Sequence, residues 1–512
     1  MKKYCGAAIA ALMLCACAGE DVAEEIAGDS GNEAEGNTES QKASSGDGAA
    51  NSDDDTPVAV RPSLDPFPST YEPYAGETVL ITGATILTGT GEQIEDGAVL
   101  LSDGKVSAVG AATDIEVPDG AVIVDGVGKW LTPGIIDIHS HLGDYPSPST
   151  ASTADGNEIT SPNTAQVWAE HSVWPQDAGF TRALAGGITS LQILPGSANL
   201  FGGRSVTLKN VPSRTVQGMK FPDAPYGMKM ACGENPKRVY GQKGGPGTRM
   251  GNFAGYRAAW IEAQAYQKSW NDYWAKFDAW EEDDSDDKSD TPPDAPKRDL
   301  KMETLAGVLD GDIHVNMHCY RGDEMAQVID MSKEFGYKVT TFHHAIEAYK
   351  IADLLAENEI CAAVWSDWWG FKLEAYDTVL ENPALVHAQE NGCTIIHSDS
   401  SIGIQRLNQE AAKAMSDGRR IGIDIEPKDA IVWITLNPAR AMGIDEDTGS
   451  LEPGKMADVV LWDRSPFSVY ARAEQVYIDG ALLYDRDDPA RSPRMDFEIG
   501  QRDNDVTGGA GQ

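Results

Sequence analysis

Two histidines of this sequence have a spacing that suits metal binding. His139 and His141 are separated by one residue in the segment DIHSH. Residues two apart on a β-strand point to the same face, and in a closed barrel that face is the interior. Two inward imidazoles at a strand end provide half of a metal site. Because such a pair is common by chance, two buried core histidines are the alternative interpretation.

Three further candidate ligands lie at the ends of apolar runs. His318, His344 and Asp399 each follow a run with the length of a strand. The C-terminal ends of barrel strands are where active sites are built. Buried imidazoles and a buried carboxylate need partners, and a divalent cation satisfies all of them at once. The sequence therefore predicts a divalent metal site at this end of a barrel.

The elements that would position these residues lie between residues 132 and 444. Short apolar runs alternate there with helical stretches, which predicts a parallel α/β architecture with a (β/α)8 TIM-like barrel as the leading candidate. The third strand is the least distinct, and 204–208 is the best candidate for it. The predicted strands cover residues 135–139, 189–194, 204–208, 227–231, 313–318, 338–343, 360–364 and 394–397.

Strand and hairpin patterns also flank this region on both sides. Residues 74–131 and 445–486 contain short β-type runs separated by Gly/Asp turns. We expect the two flanks to form one small β-sandwich domain, with the barrel inserted between its two parts.

An amphipathic helix and an acidic loop interrupt the barrel pattern. Aromatic residues from Phe253 to Phe277 recur mostly at three- and four-residue spacings, so they predict a helix with an aromatic face. Burial of this face against the barrel is favoured over a subunit interface, which leaves homo-oligomer formation open. The Asp- and Pro-rich segment 281–299 is predicted to be an exposed insertion loop.

The N-terminal residues resemble an export signal. Lys2 and Lys3 precede an apolar run too short to span a bilayer as a helix. The end of segment 1–17 resembles a bacterial lipobox with Cys17 as the lipidated residue, and an ordinary cleaved signal is the alternative. The resemblance implies a secreted protein, lipid-anchored in the bacterial envelope at the outer membrane and facing the periplasm.

The chain ends and the cysteines complete the domain prediction. Segment 18–73 is acidic and poor in large apolar residues, which predicts a disordered tether, and 487–512 is a C-terminal tail. The later cysteines are widely spaced and mostly inside apolar runs, so they are predicted to be buried free thiols; they are Cys232, Cys319, Cys361 and Cys393.

Charge excludes some partners. The 512 residues contain 80 Asp and Glu against 41 Lys and Arg, a formal net charge of −39. Such a surface would repel nucleic-acid phosphates and anionic lipid. We therefore expect no nucleic-acid partner, and membrane contact only through an N-terminal lipid.

Motifs across residues 77–484 resemble the amidohydrolase superfamily. The similarity is strongest to the imidazolonepropionase-like branch, which also includes prolidase-like peptidases. It is carried by LTPGIIDIHSH at 131–141, GGITS at 186–190, HCYR at 318–321, His344, SDS at 398–400, LNPAR at 436–440 and GSLEPGKMAD at 449–458.

This resemblance implies a ligand set. His139, His141 and Asp399 would bind the more buried metal, while His318 and His344 would bind a second ion or orient the substrate. Lys229 matches the carboxylated lysine that bridges the ions in binuclear members, but GENP follows at 233–236 where the peptidases have Gly-Gly. Glu234 is therefore the alternative fourth-strand ligand, and an uncarboxylated structural Lys229 is also open.

The histidine pair at 343–344 leaves a choice, because neighbouring strand residues face opposite ways and only one is expected to point inward. The resemblance favours His344 over His343. The other histidines are expected to be ordinary side chains; they are His171, His314, His387 and His397.

The implied activity is hydrolysis of a C–N bond with one or two divalent ions, zinc being the expected metal. A metal lowers the pKa of its bound water from 15.7 to about 7, and Asp399 would accept the proton as water attacks a carbonyl. The substrate would be a small amide, such as a cyclic amide, rather than a peptide. The alternatives are a prolidase-like metallodipeptidase and a catalytically inactive surface binding lipoprotein.

Substrate contacts are expected from the loops that follow the strands. Tyr320 and Arg321 directly follow a candidate ligand, and Trp368 follows the predicted seventh strand. An arginine can grip a carboxylate and aromatic residues can hold a ring.

Overall fold

A computed structural model describes residues 63–491 except 287 and 369. The predicted signal, Cys17 and most of the tether and tail lie outside the described residues. The described chain divides into a small unit of residues 63–66 and 150–152 and a large one of residues 67–149 and 153–491. All elements below that position the site belong to the large unit.

One eight-stranded sheet forms a nearly closed barrel. Its strands follow one another in chain order, and their predicted positions are confirmed to within a few residues. The strands are β6 (Ile135–Ser140), β7 (Ile188–Ile193), β8 (Phe201–Lys209), β9 (Gly227–Ala231), β10 (His314–Cys319), β11 (Val339–His344), β12 (Cys361–Val364) and β13 (Thr394–Ile396).

The direction of β8 differs from the prediction. This strand is antiparallel to both β7 and β9, whereas the other neighbours in the barrel run parallel. Residues 194–200 and 210–226 connect it to its neighbours without an α-helix. Antiparallel strands can be joined by such a direct connection, whereas parallel strands need a crossover. The location of the third strand was therefore predicted correctly, and its parallel direction was wrong.

The first and last barrel strands meet at the end that carries the candidate ligands. The backbone N–H of Asp399 donates to the carbonyl of His139 at 3.0 Å. The N–H of Ser398 donates to Oδ1 of Asp137 at 3.2 Å. These bonds bring together two ends of the sheet that lie about 260 residues apart in the chain.

A second eight-stranded sheet combines both flanks of the barrel. Its strands are ordered β16-β15-β14-β5-β1-β2-β3, with β4 beside β1, and β14 pairs with β5 to join the two flanks. The division of this sheet into two packed layers stays a prediction. The strands are β1 (Val79–Leu87), β2 (Gln93–Ser102), β3 (Lys105–Ala111), β4 (Val122–Asp125), β5 (Trp130–Pro133), β14 (Val459–Trp462), β15 (Ala473–Ile478) and β16 (Ala481–Asp485).

Helices follow most of the barrel strands. Within residues 63–491, no helix has both the length and the apolarity needed to cross a membrane. The helices are α1 (Ala178–Ala185), α2 (Glu234–Tyr240), α3 (Arg249–Glu281), α4 (Leu300–Asp310), α5 (Gly322–Phe335), α6 (Ala352–Glu357), α7 (Asn382–His387), α8 (Leu407–Arg420), α9 (Pro427–Ala430) and α10 (Leu436–Met442).

The long helix α3 packs its aromatic face against the barrel, as predicted. Trp260 is fully buried, and its ring lies 5.3 Å from Phe201 of β8 and 4.4 Å from Tyr337. The Thr248 side chain begins the helix by accepting from the N–H of Gly251. The described residues between α3 and α4 form no helix or strand and are largely exposed.

The prediction of four free thiols was wrong. Cys232 is bonded to Cys319, and Cys361 is bonded to Cys393. Each bond links neighbouring parallel strands, whose register brings the Cα atoms to 5.2 Å and 4.6 Å. Such separations suit a disulfide. Wide spacing along the chain concealed both pairs, because strands adjacent in a barrel are separated by a helix and its loops.

Candidate active site

The predicted ligands converge at the C-terminal ends of the barrel strands. Nε2 of His141 lies 3.2 Å from Oδ1 of Asp399, and Nε2 of His139 lies 3.6 Å from the same oxygen. Nδ1 of His344 lies 3.9 Å from Oδ2 of Asp399. The carboxylate of Asp399 is therefore surrounded by three imidazoles.

Two overlapping groups have the arrangement of a metal site. Ligand atoms of His139, His141 and Asp399 lie within 4.8 Å of one another, as do those of His139, His344 and His397. His139 belongs to both groups. The arrangement thus offers two adjacent positions for a cation, with His139 between them.

Lys229 reaches the same cluster from β9. Its buried Nζ lies 3.3 Å from Nε2 of His139. Glu234 lies instead in the first turn of α2, where its carboxylate is 3.8 Å from Nζ of Lys372. Of the two fourth-strand candidates, the structure brings Lys229 to His139.

Both histidines of the 343–344 pair contact the cluster, so the expectation that only one points inward was wrong. Nδ1 of His343 lies 2.9 Å from Nδ1 of His139, and the His344 ring lies 4.8 Å from the His139 ring. His344 has a φ of +68°, outside the extended region. Strict alternation of side chains applies only to extended backbone, and this residue has left it.

Asp399 also has a left-handed backbone, with a φ of +48°. Non-glycine residues in this region carry a conformational cost and are concentrated at functional sites. The hydrogen bond from its N–H to His139 holds the residue there and aims the carboxylate at the histidines.

His318 lies beside the second candidate position. It is buried, with its ring 4.6 Å from that of His344 and its Nε2 3.4 Å from Nδ2 of Asn235. Burial, followed by nearby positive charge, lowers the pKa of His318 well below its usual value. A neutral imidazole is the form that binds a metal.

His397 also belongs to the cluster, although it was predicted to be an ordinary side chain. Its ring stacks on that of His139 at 5.1 Å, and burial is the largest cause that lowers its pKa to about 3. The spacing of His397 and Asp399 is the same as that of His139 and His141. Applying the same-face argument to both pairs would have identified it.

Asp137 was not predicted either, and its side chain holds together two backbone segments that carry candidate ligands. Its carboxylate accepts from the N–H of His139 at 3.1 Å and from the hydroxyl of Ser398. Burial raises its pKa to about 7 despite these bonds. Asp137 thereby ties the first strand of the barrel to the segment that carries Asp399.

His141 is held in one orientation by the neighbouring strand. Its Nδ1 lies 2.7 Å from the carbonyl oxygen of Leu194, which can only accept. Nδ1 therefore carries a proton, and Nε2 faces Asp399. A partner of this kind is typical of metal-binding histidines.

An aromatic wall lines one side of the cluster. Trp365 stacks on His344 at 4.3 Å, Trp368 stacks on Trp365 at 5.2 Å, and the Tyr320 ring lies 4.8 Å from His318. The half-exposed guanidinium of Arg321 binds Asp323 instead, at 2.8 Å. Of the predicted substrate-contacting residues, Tyr320 and Trp368 belong to the wall and Arg321 does not.

Comparison with known proteins identifies the family. A crystal structure of an amidohydrolase from Thermotoga maritima MSB8 shares 37% sequence identity with this chain and superposes with a TM-score of 0.70, covering 80% of this chain and all of that one. The chain belongs to the amidohydrolase family. It is accordingly a metal-dependent hydrolase that acts on carbon–nitrogen bonds.

Other amidohydrolases show more limited similarity. The family model described as "Amidohydrolase family" matches residues 383–493. The amidohydrolase tasK of Hapsidospora irregularis is 30% identical over 444 residues, which are 81% of this chain but only 44% of that longer protein. The imidazolonepropionase of Idiomarina loihiensis is 47% identical over 49 residues, which are 10% of this chain and 12% of that protein.

The donor set of this amidohydrolase fits a divalent cation. Among the described residues, buried nitrogens without a hydrogen-bond partner include Nδ1 of His318, Nδ1 of His344 and both ring nitrogens of His397. Several unsatisfied imidazole nitrogens beside a carboxylate would be costly unless a cation binds them. Imidazole and carboxylate are common ligands of zinc.

Proposed function

We propose that this amidohydrolase hydrolyses a C–N bond other than a peptide bond in a small molecule, with a cyclic amide as the candidate substrate. The observation that carries the proposal is the convergence of His139, His141 and Asp399 at the ends of the first and last barrel strands, with Lys229 beside them. The local similarity to an imidazolonepropionase supports this substrate class.

We propose zinc as the metal, in one or two copies. His139, His141 and Asp399 would hold one ion, and His318 and His344 would hold a second or orient the substrate. Lys229, if carboxylated, would lie between the two positions. A divalent cation bound here would polarise the substrate carbonyl and make water a better nucleophile at neutral pH.

Asp399 is the proposed proton acceptor. Burial opposes its ionisation, but the hydrogen bond and positive charge of His141 outweigh burial and lower its pKa. The carboxylate is thus ionised at neutral pH and can take the proton of the attacking water. It would then donate that proton to the leaving nitrogen.

The aromatic wall is the proposed contact surface for the substrate. Tyr320 and Trp365 are almost fully buried, while Phe371, 5.7 Å from Trp365, is 43% exposed. The wall therefore extends from the cluster toward solvent. Stacked aromatic faces suit a flat ring better than a flexible peptide.

A prolidase-like dipeptidase remains the second candidate, because Lys229 favours it. Lys229 Nζ lies 3.3 Å from Nε2 of His139, so the lysine is at the cluster where the resemblance to these peptidases expects a bridging carboxylated lysine. The third hypothesis, an inactive binding lipoprotein, loses support because all five predicted histidine and aspartate ligands lie at the site.

Metal analysis of the purified chain, together with a screen of cyclic amides and dipeptides, tests these proposals. Bound zinc with turnover of a cyclic amide supports the first, whereas two equivalents with dipeptide turnover support the second. A chain that binds no divalent cation and hydrolyses neither class would contradict both.

We also propose that the protein is exported and lipid-anchored through Cys17. Two disulfides support an oxidising compartment, because cytosolic proteins rarely keep such bonds. Replacing Cys17 with Ala should move the protein from the membrane to the soluble fraction of the envelope. An unchanged membrane fraction would argue against this anchor.

A further inference from the structure

The imidazole of His139 is engaged at both nitrogens. Nε2 faces Lys229 Nζ at 3.3 Å and the Asp399 carboxylate at 3.6 Å. Nδ1 lies 2.9 Å from Nδ1 of His343. The other nitrogen of His343, Nε2, lies 3.0 Å from Oδ1 of Asn316. Three buried side chains from β6, β11 and β10 therefore form one chain of hydrogen bonds.

The amide oxygen at the end of this chain fixes the direction of every bond. Oδ1 of Asn316 can only accept, so Nε2 of His343 carries the proton. In the neutral imidazole, Nδ1 of His343 is then an acceptor. His139 must consequently donate from its own Nδ1, which leaves the lone pair on its Nε2 directed at Lys229 and Asp399.

The surroundings of these three hydrogen-bonded side chains favour this single arrangement. Asn316 and His343 are fully buried and His139 is 1% exposed. The 2.9 Å contact between the two Nδ1 atoms requires one nitrogen to donate and the other to accept, so the two rings cannot both be protonated at Nδ1.

We propose that Asn316 and His343 are positioning residues that select the Nδ1–H tautomer of His139 and so present its Nε2 to the metal. The proposal rests on the proposed function in one respect, namely that His139 is a metal ligand. His343 then acts through His139, and Asn316 acts through His343. Partners of this kind typically contribute about 10- to 100-fold in metal affinity.

A pair of substitutions at Asn316 separates this role from simple packing. Asn316→Leu removes the acceptor, whereas Asn316→Asp keeps an oxygen acceptor. The aspartate also costs no existing bond, because Nδ2 of Asn316 has no hydrogen-bond partner among the described residues. Thr341→Val is the matched control, since Thr341 pairs with Asn316 in the neighbouring strand and its buried hydroxyl also lacks a partner there.

The measurement is zinc affinity of the full-length apoprotein, determined by competition with a chromophoric chelator. We expect Asn316→Leu to weaken zinc binding by about 10-fold or more, and Asn316→Asp and Thr341→Val to stay within about 3-fold of the wild type. Equal zinc affinity in folded Asn316→Leu and wild-type protein would overturn the proposal that Asn316 and His343 position His139. A wild-type protein that binds no zinc would instead overturn the proposed function.

His343, the middle residue of the hydrogen-bonded series, provides a second test if Asn316→Leu does not fold. His343→Gln can still accept from Nδ1 of His139 through its amide oxygen, whereas His343→Leu cannot. We expect the glutamine variant to bind zinc more tightly than the leucine variant by about 10-fold. Equal affinities of these two variants would also overturn the proposal.

Discussion

At the scale of single residues, Asp399 has two proposed roles, as a metal ligand and as the proton acceptor, and one substitution separates them. An asparagine side chain at this position keeps an oxygen for a cation but cannot take a proton. We expect Asp399→Asn to retain bound metal and to lower kcat by about 10²- to 10⁴-fold, measured with the substrate found in the screen. Asp272→Asn, which alters an exposed carboxylate paired with Lys268, is the control. Unchanged turnover would exclude Asp399 as the proton acceptor.

We propose that Lys229 determines how many ions the site can hold. Its Nζ is buried beside His139, where a carboxylated amine would provide oxygen ligands to two ions. We expect Lys229→Met to reduce zinc from two equivalents to one, and added propionate to restore part of the second. Metal content after dialysis measures both. Two equivalents in the variant would show that Lys229 is a structural lysine.

At the scale of elements, the two disulfides link barrel strands at opposite ends. Cys361 begins β12 and Cys393 precedes β13, whereas Cys232 follows β9 and Cys319 is the last residue of β10, directly after His318. The first bond is therefore remote from the ligands, while the second adjoins one.

We expect these bonds to differ in their effect on the metal. Replacing both cysteines of either pair with Ala should lower the free energy of unfolding by roughly 2–5 kcal/mol. Only the pair at 232 and 319 should also weaken zinc binding, because the N–H of Cys232 binds the carbonyl of His318 at 2.9 Å. Denaturant unfolding and zinc titration distinguish the two effects, and equal zinc affinity in both variants would contradict the expectation.

At the scale of the whole molecule, a buried charge network joins the barrel to the flanking sheet. Nζ of Lys209, on β8, lies 2.7 Å from Asp479 and 3.4 Å from Asp458. Asp458 directly precedes β14, and Asp479 lies between β15 and β16 of the flanking sheet. Tyr71 donates a further hydrogen bond to Asp479. The lysine and both carboxylates are nearly inaccessible to water.

Replacing Lys209 should weaken the connection between the barrel and the flanking sheet. We expect Lys209→Met to lower the free energy of unfolding by about 3–5 kcal/mol, because it leaves two buried carboxylates without their cation. Lys268→Met is the control, because that exposed pair should contribute less than about 1 kcal/mol. Equilibrium denaturation measures both, and similar losses in the two variants would contradict a coupling role.

The sequence by itself determined the positions of the barrel strands, the barrel fold and five candidate ligands at the site. These depend on local information, because apolar runs mark strands and the last residue of each run marks the catalytic end. His139, His141, His318, His344 and Asp399 were predicted in this way, and the structure brings them together.

Only the tertiary structure decided which neighbours meet. The direction of β8 and the two disulfides depend on which strands lie side by side, and that is not encoded at any single position. The approach of both His343 and His344 to His139 depends on a positive φ at His344, which strand periodicity does not reveal. The bonds from Asn316 through His343 to His139 join residues of three strands, so their register in the closed barrel creates them.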